Sequence, residues 1–287
     1  MPLVADRDTV RDVIFNRECV PMRELSDNSI DLVVSGPPYW SRFDYAAFAD
    51  GRPHMWQTQQ SYVSYLDELA RWHTECHRVL RPGRFCAIVI GSVERDGKTY
   101  HIPFDALSVI RDIGFEFVDE IIWNKISGGR QAARNFLKLP VVRNFRPNIR
   151  TEYILVFRKA GPDLQQINGF DRVDQVMLDR DFFVREIANN IWNIPVGRDR
   201  KEAVHPCPFP LELPARLIEL YSAEGETVLD PFMGIGSTAI AARRLGRHFV
   251  GYEKEARFCS YAERRIACEP SSPGRWRSRM VVGYEKW

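Results

Sequence analysis

No pair of cysteines in the 287 residues has C-x-x-C spacing, and no Cys/His grouping fits a zinc site. The six cysteines are scattered at positions 19, 76, 86, 207, 259 and 268. That scatter argues against a metal module and predicts reduced, mostly buried thiols in a cytoplasmic protein. Also missing is an apolar run long enough to span a bilayer, and the N-terminus lacks a basic-then-apolar signal, so no membrane association is expected. Charge of one sign is not in excess either. Forty Lys and Arg face 38 Asp and Glu, a net charge of +2, so any electrostatic footprint for a polyanion has to be local. There is no internal repeat and no low-complexity segment. With 45% hydrophobic and 27% charged residues the chain can bury a sizeable core.

The regular elements alternate. Val13 to Val20 reads as a short strand and turn, and Ile30 to Val34 as a β-branched strand that stops at Ser35-Gly36-Pro37-Pro38-Tyr39-Trp40. Two adjacent prolines cannot continue a strand ladder, so this hexapeptide is a loop at a strand's end. Residues 59 to 80 carry apolar positions at helical spacing, and Arg81-Pro82-Gly83 is expected to end that helix. A buried strand from Phe85 to Gly91, a helix near 103 to 113, and strands at Glu120–Trp123 and Thr151–Phe157 follow. Residues 160 to 203 read as polar and irregular. A second block gives a helix over Leu211–Ser222, a strand over Thr227–Leu229, a glycine turn, a helix over Ser237–Leu245 and a strand over His248–Tyr252. Strands alternating with helices predict an α/β fold, an open, mostly parallel sheet with helices on both faces.

Two constellations carry chemistry. The first is Val228-Leu229-Asp230-Pro231-Phe232-Met233-Gly234-Ile235-Gly236-Ser237, which runs from strand through glycine turn into helix. Its glycines allow close backbone approach to a ligand, and the helix start offers free N–H groups. A glycine turn alone fits a dinucleotide enzyme or plain helix–sheet packing. The following strand ends at Glu253, a carboxylate placed for ribose hydroxyls, and the absence of a third glycine argues against the dinucleotide pattern.

The second is Gly36-Pro37-Pro38-Tyr39-Trp40. An exocyclic amino group on a base is a poor nucleophile because its lone pair is delocalised into the ring. Acceptors aimed at the amino protons favour the tetrahedral nitrogen that attacks a sulfonium methyl. Prolines present carbonyls rigidly, and an aromatic beside them can stack on an extruded base. A Pro-Pro turn with a core aromatic is the structural alternative.

Together these residues resemble the amino-methyltransferase family of DNA-modifying enzymes, whose motifs are Pro-Pro-Tyr after a polar residue and Asp-Pro-Phe-x-Gly-x-Gly-Ser/Thr. The catalytic motif precedes the cofactor motif here by roughly 200 residues, the order of the family's permuted beta subgroup. Ser26–Leu32, Leu80–Phe85, Ile122–Lys125 with Thr151–Ile154, and His205–Pro210 resemble its secondary signatures. The resemblance implies a Rossmann-like S-adenosyl-L-methionine (SAM)-dependent methyltransferase fold in a single domain over residues 1–287. Residues 124–203 are then DNA-contacting loops and a target-recognition insertion. It implies that Asp230, Phe232, Gly234, Gly236 and Ser237 line the cofactor and that Glu253 meets its ribose. Glu18-Cys19 corresponds to the pair at the adenine end, where Asp is more usual, and His205-Pro206 to the segment enclosing the methionine end.

One departure stands out. The position before Pro-Pro is Gly36, so the usual side-chain acceptor is missing. Either Ser35, one place earlier, supplies a hydroxyl, although neighbours on an extended chain point opposite ways, or the Gly36 and Pro37 backbone does the work. The motif without Asp favours cytosine N4 over adenine N6. A catalytically inactive DNA-binding relative is the alternative from another class. Cytosine-C5 chemistry through a thiolate is set aside, because Cys207 lies in the His205–Pro210 segment and not in the Pro-Pro loop.

Double-stranded DNA is the implied partner. Arg130, Arg134, Lys138, Arg143 and Arg146 form an acid-free basic stretch suited to phosphates. The resemblance admits a restriction endonuclease as partner in the same system and leaves monomer and dimer both open.

Overall fold

The computed structural model describes residues 10–40, 61–95, 97–125, 143, 149–162, 183–196 and 209–269. Its centre is an eight-stranded sheet in the order β1-β10-β9-β2-β3-β7-β6-β8. The strands are β1 (Val13–Phe15), β2 (Ile30–Ser35), β3 (Leu80–Ile90), β6 (Phe115–Asn124), β7 (Thr151–Lys159), β8 (Ile191–Asn193), β9 (Thr227–Asp230) and β10 (His248–Tyr252). A separate hairpin joins β4 (Val93–Arg95) to β5 (Lys98–Tyr100). The helices are α1 (Tyr62–Val79), α2 (Ile102–Asp112), α3 (Glu212–Tyr221), α4 (Ser237–Arg244) and α5 (Ala256–Ala267). Only β7 runs against its neighbours in this sheet, pairing antiparallel with β3 and β6, so the sheet is mixed but mostly parallel. Among the described residues no helix is long and apolar enough to cross a membrane.

Alternation along the strands sorts the core into two layers. Val33, Cys86, Ile88, Ile90, Leu155 and Phe157 face one way and pack with Tyr65, Leu69 and Cys76 of α1 and Ile110 of α2. Leu32, Val34, Ala87, Val89, Ile154 and Val156 face the other way and pack with Leu217 of α3 and Ile240 of α4. Burial on both faces is what a parallel sheet demands, and it explains why β2 reads as a continuous apolar run. Asp31 and Ser35 are the polar members of that strand. The Asp31 carboxylate accepts the backbone N–H of Thr227 at 2.9 Å and pairs with Arg81, which ties β2 to β9 and to the start of β3.

Two expectations need correction, and one element goes beyond them. Arg81-Pro82-Gly83 does not lie between a helix and a strand: α1 already ends at Val79, and Leu80 opens β3. The ladder pairs Ile30 with Leu80 and then Leu32 with Phe85, so the extra residues are absorbed as a bulge in which Gly83 takes φ +82°. Secondly, residues 160 to 203 are not all irregular. A π-helical turn at Phe183–Ile187 leads into β8, which extends the sheet beside β6. Beyond these, the chain forms a further helix, α5, that the sequence pattern does not predict.

Candidate active site

The sheet order brings the two sequence motifs together. β2 and β9 are parallel neighbours, so the Gly36–Tyr39 loop and the Pro231–Gly236 turn leave the same edge of the sheet side by side. A crevice at the carboxyl ends of parallel strands is where open α/β sheets hold their ligands.

In the glycine turn, Gly234 and Gly236 have φ of +52° and +83°. Those backbone conformations favour glycine, and a Cβ on Gly236 would also press on Ala262 of α5 at 3.0 Å. Asp230 is fully buried and works beneath the turn: its carboxylate accepts Phe232 N–H at 2.9 Å and the Thr238 hydroxyl at 2.5 Å. Burial pushes its pKa up to about 7, against the pull of those two hydrogen bonds, and the nearby Glu253 charge adds to the rise. Glu253 accepts Gly234 N–H with one oxygen and Glu255 N–H with the other, both at 2.8 Å, and burial raises its pKa. Each oxygen keeps a lone pair, and the side chain remains partly exposed, so the carboxylate can also meet a ribose diol. This positive-φ cradle beside a ribose-type acceptor fits SAM. Phe232 meets Trp72 of α1 edge-on at 5.0 Å. The Ser237 hydroxyl donates to the Phe209 carbonyl at 2.9 Å.

Glu18 and Cys19 lie just beyond β1, next to β10 in the sheet. Glu18 is exposed and pairs with Lys254 at 3.1 Å, one residue past Glu253. Cys19 is buried, which pushes its thiol up to about 12 and makes it a packing residue.

In the other loop, Pro37 and Trp40 are buried, while Pro38 and Tyr39 are half-buried. Trp40 sits among Tyr62 and Tyr100 at ring distances of 5.0 and 4.6 Å, under the Arg95 guanidinium. Tyr39 is thus the more open aromatic. The Ser35 hydroxyl is spoken for: it lies 3.1 Å from His73 Nε2, inside the layer beneath α1. His73 Nδ1 is 2.8 Å from the Leu69 carbonyl, which can only accept, so that nitrogen carries the hydrogen and Nε2 receives the Ser35 proton. Burial lowers the His73 pKa to about 4 and keeps the ring neutral. The expectation that Ser35 could replace the missing acceptor is therefore corrected: strand alternation turns it to the opposite face from Gly36. Gly36 itself has a packing reason. A Cβ there would run into the Phe209 ring, whose Cε2 lies 2.6 Å from that position.

His205, Pro206, Arg130, Arg134, Lys138 and Arg146 lie outside the described residues. Arg143 is exposed with φ +68°. Sequence reasoning does not single out His73 or Thr238, and it reaches Phe209 only as part of the His205–Pro210 segment. The Thr238 hydroxyl directly after the motif serine is the one signal available.

A mostly parallel sheet with a glycine cradle, the partly exposed Glu253 carboxylate and the Pro-Pro-Tyr loop beside them fits a SAM-dependent methyltransferase. A family model described as DNA methylase, of the N6/N4 kind, matches residues 30–264, and the chain belongs to that family. Type II methyltransferase M.MthZI of Methanothermobacter thermautotrophicus is 34% identical over 283 residues, covering 88% of this chain and 76% of its own length. The protein TTHA0409 of Thermus thermophilus, solved in complex with SAM, is 31% identical with a TM-score of 0.65 and covers 90% of this chain and 93% of its own. The PvuII DNA methyltransferase (cytosine-N4-specific) has the same fold, with a TM-score of 0.67 over 96% of this chain and 91% of its own at 16% identity. The chain is a SAM-dependent DNA amino-methyltransferase.

Proposed function

We propose that the protein methylates N4 of cytosine in double-stranded DNA and belongs to the permuted beta subgroup. The observation that carries this reading is the adjacency of the Gly36–Tyr39 loop and the Asp230–Ser237 turn on neighbouring strands, with no carboxylate in the first loop. In this reading the SAM cofactor supplies an electrophilic methyl group on sulfonium sulfur. Glu253 takes the ribose hydroxyls, the Gly234–Gly236 backbone lets the ligand approach, and Glu18 lies toward the adenine. Asp230 holds the turn in shape through Phe232 N–H and Thr238. Tyr39 stacks on the flipped base, and the Pro37 carbonyl accepts one of its amino protons. The basic stretch from Arg130 to Arg146 engages phosphates, His205-Pro206 serves the methionine end, and the parts of 124–203 outside the sheet strands β7 and β8 carry target recognition within one domain. No covalent enzyme intermediate is needed, because the amino nitrogen attacks directly.

The test is incubation of unmethylated genomic DNA with protein and SAM, followed by digestion and mass spectrometry of the nucleosides. N4-methylcytosine is expected. N6-methyladenine would overturn the choice of base, and unmodified DNA would favour the inactive DNA-binding relative that Gly36 suggests.

A further inference from the structure

The missing side chain at Gly36 leaves the amino group one acceptor short, and the same face of the sheet holds a carboxylate oxygen that nothing described satisfies. Glu152, near the start of β7, is 4% exposed. One of its oxygens, Oε1, pairs with Lys125 Nζ, which also lies 4.7 Å over the Trp123 ring. The other, Oε2, is buried with no hydrogen-bond partner among the described residues. An unsatisfied buried acceptor is costly, so it calls for a ligand or a reason.

Its position supplies the reason. Because β7 runs antiparallel, its first residues sit at the carboxyl ends of β3 and β6: Tyr153 pairs with Ile90, and Glu152 with Trp123. Alternation puts Glu152 on the face of Ile154 and Val156. That is the face of Leu32 and Val34, which Gly36 continues. Only β3 separates the two strands. There the residue on the shared face is Gly91, where a Cβ would meet Glu152 Cγ at 2.8 Å and Cδ at 3.4 Å. Gly91, just past the end of β3, lets this side chain lie across the strand end, and Gly36 on the neighbouring strand end has no side chain of its own, its Cβ position being covered by the Phe209 ring.

We propose that Glu152 is the side-chain acceptor for the exocyclic amino group of the target base, in the place of the polar residue that Gly36 lacks. The inference rests on the reading that puts the target base at the Pro37–Tyr39 loop. As the nitrogen lone pair forms the new N–C bond, the C–S bond breaks and its electron pair stays on sulfur, which leaves S-adenosylhomocysteine. The nitrogen then sheds one proton, which passes to the Glu152 carboxylate and on to solvent. Carboxylates accepting from amino groups are a standard means of recognising cytosine N4. Lys125 fixes which oxygen is free.

Glu152→Gln tests this with little change in shape. Lys125 draws the amide oxygen, so an NH2 donor replaces the free acceptor and faces the base's own amino group. The probe is a duplex bearing the site that the wild-type protein methylates, against the same duplex with an amino-less base, 2-pyrimidinone for cytosine or purine for adenine. The wild-type protein is expected to bind the amino-bearing duplex roughly tenfold more tightly, and Glu152→Gln to lose or reverse that preference. Single-turnover methylation should fall about 100-fold, with SAM affinity unchanged. Retained discrimination, or turnover within about threefold of wild type, would overturn the proposal. Should the variant not fold, Gly91→Ala displaces the carboxylate without removing it, and retained discrimination there is equally fatal. Wild-type turnover by Tyr39→Ala would instead show that the base lies elsewhere and would remove the underlying reading.

Discussion

At the scale of single residues, Asp230 and His73 are both fully buried and titrate away from their ordinary ranges in opposite senses. Lowering the His73 pKa from 6.5 to about 4 means that acid favours the unfolded chain, which takes up the proton first. Stability is lost as pH falls from 6.5 toward 4, by about 3 kcal/mol. Raising Asp230 from 3.8 to about 7 does the reverse: stability is lost as pH rises between those values, by about 4 kcal/mol. The two slopes nearly cancel over the shared window. Asp230→Asn should remove one of them, so that the variant gains about 4 kcal/mol on wild type between pH 4 and pH 7 in urea unfolding. A gap that does not move with pH would show that Asp230 ionises normally. Gly36 makes a second residue-scale prediction. Gly36→Ala drives a methyl group into the Phe209 ring and should cost about 1–3 kcal/mol by the same unfolding measurement; an unchanged midpoint would mean that Phe209 yields freely. That Gly36 departs from the motif is legible in the sequence. Its cause is not, because Phe209 is 173 positions away and only the fold joins them.

At the scale of elements, legibility follows local signals. β2 is readable because a β-branched run ends at two prolines, and α4 because a glycine turn precedes it. The β4–β5 hairpin carries an Asp96-Gly97 turn signal that is easily passed over between two such short strands. α5 buries Phe258, Cys259, Ala262 and Ile266 at helical spacing, but its three arginines and Glu263 hide that stripe. β8 is not readable: three residues carry too little periodicity, and what holds them is tertiary. Trp192 is fully buried and donates to the Ile187 carbonyl at 3.3 Å. Arg216 of α3 lies 5.3 Å over its ring while bonding Glu212 at 2.5 Å and the Glu186 carbonyl at 3.3 Å. Arg216→Ala should therefore release the 183–193 segment and cost about 3 kcal/mol. The expected signature is faster amide exchange at residues 183–193 with β9 and β10 protected as before. Uniform loss of protection would mean that Arg216 supports the whole fold.

At the scale of the molecule, residues far apart in the chain share one crevice because β2 and β9 are neighbours while β3, β6, β7 and β8 are laid down to one side. The order of the motifs in the sequence is thereby immaterial to the chemistry, and their adjacency at the strand ends is everything. The proposed function gives that adjacency a division of labour, with the Asp230–Ser237 turn holding the cofactor and the Gly36–Tyr39 loop holding the base. The most direct measurement is Tyr39→Ala, assayed for single-turnover DNA methylation and, separately, for SAM binding by calorimetry. Loss of base stacking worth roughly 1–3 kcal/mol should lower turnover about 5- to 150-fold while SAM affinity stays at the wild-type value. Unchanged turnover, or SAM affinity lost along with it, would contradict the division.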